Sequence, residues 1–294
     1  MYKGNSFGFV DRIVKKLVGM KIGILYIGIG KYLSLWDDFY KTSQKYLFPD
    51  AEKIYFVFTD SDDFFPESVV KLYQKDLGGR NNTLYRFKMF YEHRIALSQC
   101  DYLFFFNGDV IFKRTILSKE LIPCESEGYL LALSWHIYQI KSPKKFPYDR
   151  NPNSLAYISY DEGVYYFQGG LNGGRTKEYL ELAEQCMIAV DIDVEKNNIA
   201  AVADESYLNR YLLNKKIKIV DTIYGKPEKF FFPIHAKIIF RDKGTFFHSK
   251  GIEHVGWINY KPALLRFFID LSKYLRYFRK KCLLFFHDCM HLLI

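Results

Sequence analysis

Hydrophobic positions in this chain fall into short continuous runs separated by stretches of helical periodicity. Ile22 to Ile27 is an apolar run closed by glycine, and Lys53 to Phe58 is a second one leading into Thr59-Asp60. Runs of this length without strict alternation predict strands buried on both faces of a parallel sheet. Trp36 to Leu47 has helical spacing, as does Leu84 to Ala96, while Tyr102 to Phe106 and Tyr129 to Leu133 predict further strands. The alternation predicts an α/β chain with helices packed on a central sheet. A polar connector from Lys141 to Ser154, rich in Lys, Pro and Asn, predicts a long excursion over the mouth of a site. After it come the Gly-rich Gly169 to Gly174, a helix from Thr176 to about Val190, a helix around Asp204 to Leu213 and a strand from Ile217 to Val220. There is no internal repeat, so we expect an N-terminal appendage over residues 1–19, one main domain over 20–250 and a tail over 251–294.

Composition narrows the class. At 294 residues, 49% hydrophobic and 26% charged, the chain should bury roughly 75% of its unfolded surface, which excludes intrinsic disorder, collagen and disulfide miniproteins. Aromatic residues reach 18%, more than a core alone requires, and point to stacking surfaces or contact with lipid. The net charge is +9, but residues 261–294 hold seven Lys or Arg and two Asp and so supply 7 − 2 = +5 of it. Basicity concentrated in the tail argues against nucleic acid as a partner.

In that tail Leu264, Phe267, Phe268, Leu271, Leu275 and Phe278 recur at helical spacing among Arg266, Lys273, Arg276, Arg279, Lys280 and Lys281. The pattern predicts a basic amphipathic helix that lies on an anionic membrane surface or packs on the main domain. Five cysteines, odd in number and without metal or redox spacing, predict free thiols in a reducing compartment. The first twenty residues are cut by Asp11, Arg12, Lys15 and Lys16, unlike a signal peptide. Together these place the protein in the cytoplasm, peripheral on the inner face of the membrane.

Three segments carry candidate chemistry. Gly28-Ile29-Gly30 follows the first strand as a dinucleotide fingerprint would, but Leu33 stands where the third glycine belongs, which leaves a strand-to-helix turn or a nucleotide-sugar contact. Tyr32 beside it would stack on a base or fill the core. Asn107-Gly108-Asp109 puts two oxygen-bearing side chains at i and i+2 past a very apolar strand, a spacing for a metal or sugar hydroxyl and also for a plain turn. Gly169, Gly170, Gly173 and Gly174 allow close backbone approach to a ligand. Asp204-Glu205 opens a predicted helix, where carboxylates are favoured by the dipole even without a catalytic role.

Taken in order, ILYIGIGKY, YFVFTDS, TLYRF, DYLFFFNGD, YDRNP with AYI, YYFQGGLNGG, ADESYLNRYLL and FRDK resemble glycosyltransferase family 6, the histo-blood-group A and B transferases, and in particular its bacterial members. The resemblance implies a GT-A type fold with a mixed central sheet, a UDP-sugar donor, an oligosaccharide or lipid-linked glycan acceptor, and transfer with retention. It implies that Ile27, Gly28, Ile29 and Tyr32 meet uridine, that Arg86, Asn107 and Asp109 face the diphosphate or its metal, and that Arg241 and Lys243 close over the diphosphate. It further puts Glu205, with Asp204 beside it, at the anomeric carbon, Gln168, Gly169 and Gly170 around the C2 substituent of the sugar, and His136 on the acceptor. Gln168-Gly169-Gly170 resembles the GalNAc-using pattern, with Gal the alternative. Asn107-Gly108-Asp109 stands between the Asn-x-Asn of metal-independent members and the Asp-x-Asp that binds Mn2+, so we expect no metal requirement or weak Mn2+ binding through Asp109. Val202-Ala203 replaces the family's Trp-His before Asp-Glu. The resulting expectation is an α-1,3-glycosyltransferase acting on a fucosylated galactoside in surface glycan synthesis. The competing class is a non-catalytic, membrane-associated carbohydrate-binding protein derived from such an enzyme.

Overall fold

The computed structural model describes residues 19–135, 138 and 141–254; the proposed N-terminal appendage, the amphipathic tail and His136 lie wholly or almost wholly outside these residues. Seven strands form the central sheet: β1 (Lys21–Ile27), β2 (Glu52–Thr59), β3 (Val69–Tyr73), β4 (Tyr102–Phe106), β6 (Leu130–Ser134), β7 (Phe167–Arg175) and β8 (Lys218–Val220). Their order is β3-β2-β1-β4-β7-β6-β8, with every pair parallel except those made by β7. A second sheet of β5 (Val110–Phe112), β10 (Ile238–Phe240) and β9 (Lys226–Pro227) lies just past β4. The mixed α/β architecture is that of a GT-A type fold.

The predicted strands form because β1, β2 and β4 are buried on both faces, between two apolar cores. One core packs α2 (Arg86–Glu92), α3 (Thr176–Glu195) and α4 (Ala203–Leu212) against one face, with Phe56, Phe87, Phe90 and Tyr179 at its centre. The other packs α1 (Trp36–Tyr46) against the opposite face through Trp36 and Phe39. The expected helix over 84–96 is broken at Tyr85 and at His93, whose ring nitrogen meets the Met89 carbonyl at 2.9 Å and competes with helix continuation. Helix α3 runs past Val190 because Asp193, fully buried, accepts from Ser154, Leu155 and Tyr207. Asp193 is thus an inward anchor in the fold.

The excursion over residues 141–154, expected over the mouth of a site, contributes no residue to the lining of the cleft outside β1 and β4. Phe146 and Tyr148 turn inward with Ile158 and Tyr166 to make a small third core, and Arg150 ties the loop to its own carbonyls at Pro143 (3.0 Å) and Ile158 (2.6 Å). Aromatic side chains that looked available for ligand stacking are here consumed by packing.

Strand β7 sets the site. It runs antiparallel to β4, so its first residues lie beside the carboxyl end of β4, and Asn107 N donates to Gly170 O at 2.9 Å. Against β6 its register jumps between Ala132, opposite Asn172, and Leu133, opposite Gln168. Residues 169–171 therefore bulge away from β6, while Leu171 stays paired with Phe106 of β4. Buried Asn172 holds the bulge, donating to Gly169 O at 3.1 Å while its Oδ1 takes the Tyr179 hydroxyl at 2.6 Å. Gly173 and Gly174 serve the sheet and not a ligand, since a Cβ there would stand 2.5 Å from Leu103 O and 2.4 Å from Tyr129 O.

Candidate active site

A cleft of about 960 Å3 opens outside the carboxyl ends of β1 and β4, where strand order reverses about β1. Ile27, Ile29, Tyr32, Arg86, Asn107, Asp109, Gln168, Gly169, Gly170, Asp204, Glu205 and Lys243 all line it. Gly28 does not, because β2 holds it from behind: its amide donates to Phe58 O at 2.9 Å and its carbonyl accepts from Thr59 Oγ1 at 2.7 Å. Arg241 is also absent from the lining. Its guanidinium pairs with Asp38 at 2.8 Å and packs on the Phe246 ring, while its backbone N donates to Asp109 O at 2.8 Å. It therefore shapes the end of the Asn-Gly-Asp segment from behind.

Arg86 is the hub. It is buried from α2, with its guanidinium 4.3 Å from the Phe105 ring centroid, and Nη1 lies 2.8 Å from both Gly169 O and Asp204 Oδ2. Nη2 lies 3.5 Å from Asn107 Oδ1. One cation thus joins α2, β4, the bulge of β7 and the first turn of α4. Burial pushes the Asp204 carboxyl above its ordinary range, with Arg86 pulling the other way. Removing either partner alone would strand a buried charge, a defect of about 3–5 kcal/mol.

Glu205 projects from the next position of α4. Its Oε1 accepts from the Tyr166 hydroxyl and its Oε2 from Gly169 N at 2.6 Å. Burial raises its pKa to about 7; the two hydrogen bonds and Arg86 lower it, and Asp204 adds to the rise. The same pairing, after burial, pushes the Tyr166 phenol far up, so Tyr166 remains a donor. One turn later, buried Asn209 donates to Glu205 O and Phe167 O, both at 2.8 Å, and accepts from Phe167 N at 2.9 Å. These bonds lock α4 to β7. The junction is tight at Gly169, where a Cβ would lie 3.1 Å from Arg86 Nη1 and 3.5 Å from Glu205 Oε2, so a side chain there would press on the guanidinium.

Across the cleft, Asp109 Oδ2 pairs with Lys243 Nζ at 3.3 Å at the start of α5 (Lys243–Ser249). The residues present do not suit a divalent ion. The Asp109 carboxylate already has an ammonium partner, Asn107 Oδ1 faces Arg86, and no group of three or more His, Cys, Asp or Glu that could hold a metal occurs among the described residues. Lys31 closes the same end, donating to Glu253 O at 2.7 Å beside the Phe247 ring, on which Tyr32 and His254 also pack. Burial and the two lysines Lys31 and Lys243 push the His254 pKa down. Gly170 is not open to the cleft on its Cβ side, where a methyl would stand 2.4 Å from Phe240 Cε1.

Several lining residues are not legible from local sequence: Arg80 and the segment around it, Trp135, Lys31 and His254. Only the abundance of Lys and Arg flanking the motifs hinted at the cations. No helix among the described residues is long and apolar enough to cross a membrane.

The glycosyltransferase family 6 model matches residues 9–239. The chain is 33% identical over 232 residues to the O-antigen biosynthesis glycosyltransferase WbnI of Escherichia coli, an alignment covering 76% of this chain and 95% of that protein. It is 31% identical over 227 residues to the rat histo-blood group ABO system transferase 1, covering 73% of this chain and 63% of the relative. To the human globoside alpha-1,3-N-acetylgalactosaminyltransferase 1 it is 25% identical over 218 residues, covering 70% of this chain and 61% of the relative. The chain thus spans nearly all of the bacterial relative and less than two thirds of these animal ones.

Proposed function

Because the chain belongs to glycosyltransferase family 6, and is therefore a hexosyltransferase, we propose that it transfers GalNAc, or alternatively Gal, from UDP to a fucosylated galactoside by an α-1,3 linkage with retention. The observation that carries this reading is the Glu205 carboxylate, oriented by Tyr166 and Gly169 in the same cleft as the Lys243, Arg86 and Asn107-Asp109 cluster. The acceptor class follows the relatives named for O-antigen, blood-group and globoside synthesis.

In this reading the uracil and ribose lie against Ile27, Ile29 and Tyr32, and the diphosphate faces Lys243 and Lys31. As the bond between the anomeric carbon and the phosphate oxygen breaks, negative charge gathers on UDP, where fixed cations stabilise it without reorganising. Positive charge develops on the sugar, and the Glu205 carboxylate stabilises it from the other side. Lys243 takes the part a divalent ion would play, and no step passes through a metal. The acceptor hydroxyl then attacks the anomeric carbon and its proton leaves with the UDP phosphate.

Residues 251–294 are proposed to hold the enzyme at the anionic inner surface of the membrane, next to a lipid-linked acceptor, with residues 20–250 as the catalytic domain. UDP release from each donor, with and without a fucosylated galactoside, and the anomeric proton coupling of the product test the reaction. A product of inverted configuration, or no UDP release with either donor, refutes it.

A further inference from the structure

Helix α4 starts in a conformation its own sequence does not favour. Ala203, its first residue, has φ of +45°, the left-handed region that is costly for any residue with a Cβ. Two residues from distant parts of the chain hold the segment just before it. Asp149, only 4% exposed, accepts Ala201 N on Oδ2 at 3.0 Å while its Oδ1 takes Asn151 N at 2.8 Å. Arg80 donates Nη2 to Ala201 O at 3.0 Å and also to Ala200 O. Both the amide and the carbonyl of Ala201 are thereby fixed, and Val202 N passes the constraint into the helix by donating to Ser206 Oγ at 3.0 Å.

Neither anchor belongs to α4. Asp149 comes from the excursion and Arg80 from a cleft-lining segment with Asp76, Gly79 and Asn82. Asp204 and Glu205 follow Ala203 directly, so the direction in which α4 presents both carboxylates depends on the strained residue. We propose that Arg80 and Asp149 are positioning residues, a clamp on Ala201 that keeps Ala203 left-handed and so aims Glu205 at Gly169 N and the reacting carbon. This rests on the functional reading given above.

Arg80 is exposed, so Arg80→Ala leaves the core intact. The expected result is a loss of about tenfold in kcat for UDP release, with UDP Kd changed by less than about threefold, as for lost alignment of a catalytic group. Amide hydrogens of residues 201–205 should exchange faster. Adding Ala203→Gly should restore at least about half the turnover, measured relative to Ala203→Gly alone, because glycine adopts a positive φ without the clamp. Asp149→Asn, which cannot accept from both Asn151 N and Ala201 N, should lose turnover and be rescued the same way. A fall in UDP affinity in step with turnover, without rescue by glycine, overturns the proposal and makes Arg80 a donor contact. Unchanged turnover and exchange overturn it as well. If the unsubstituted protein releases no UDP from either donor, it is the functional reading that fails, and the exchange measurement alone then decides the clamp.

Discussion

Replacing Glu205 by Gln separates charge from shape at the reacting centre. The amide is isosteric, and one orientation satisfies both partners: its oxygen accepts from Gly169 N and its NH2 meets the oxygen of the rotatable Tyr166 hydroxyl. Folding and UDP binding should survive, while the negative charge facing the developing cation is gone. Loss of one preorganised electrostatic group in a dry site costs about 2.7–4 kcal/mol, so kcat should fall at least about 100-fold with UDP Kd nearly unchanged. The raised pKa adds a second signature. Glu205 titrates at about 7 and the ionised form is the active one, so turnover should rise with pH through that value. A carboxyl with a folded pKa above its unfolded 4.5 binds protons more tightly when folded, so its ionisation draws down stability progressively between about pH 4.5 and 7. At pH 8 the Gln variant should therefore be more stable, by an amount on the order of 3 kcal/mol, as a shift of this size implies. UDP release kinetics, calorimetric titration with UDP and thermal melts at pH 5 and pH 8 read all three. Near wild-type turnover in the Gln variant, or a variant less stable than wild type at pH 8, would refute the reasoning.

The metal prediction follows from the Asp109–Lys243 pair: activity should persist in EDTA with at most mild stimulation by Mn2+, whereas Lys243→Ala should lower UDP affinity and increase Mn2+ stimulation by freeing Asp109. Complete, Mn2+-reversible loss in EDTA would show Asp109 to be a true ligand. For donor choice, UDP-GalNAc should be preferred in kcat/KM, and a wild type favouring UDP-Gal tenfold or more overturns the assignment. Because a methyl on Gly170 would press on Phe240 and not enter the cleft, Gly170→Ala should lower the melting temperature without moving the donor ratio, and a shift towards UDP-Gal would show that this Cβ side does bound the sugar pocket. Deleting residues 262–294 should leave catalysis on a soluble acceptor intact and abolish sedimentation with anionic vesicles; unfolding of the truncated protein would instead make the tail part of the core.

Local sequence by itself determined the strands β1, β2 and β4 and the helices α1 and α4 almost to the residue, because each is a run or a period whose burial demands are met by one secondary structure only. It also located Asn107 and Asp109 just past β4 and Asp204-Glu205 in the first turn of α4, without deciding whether they serve a turn and a cap or a site. Strands β5, β9 and β10 were not legible, being two or three residues long and paired only through contacts distant in sequence. Nor was the strand nature of the Gly-rich segment, whose glycines are poor strand formers and are explained only by the Leu103 and Tyr129 carbonyls they let approach. Tertiary structure alone decided how the charges are spent. Arg86 is divided among three segments, Arg241 is turned to Asp38, Lys243 neutralises Asp109, and a left-handed Ala203 is held by Arg80 and Asp149. Partner choice among charges depends on which ends of which strands meet. Here the reversed strand β7 fixes that by laying Gly170 beside Asn107, an arrangement no short window of the chain encodes.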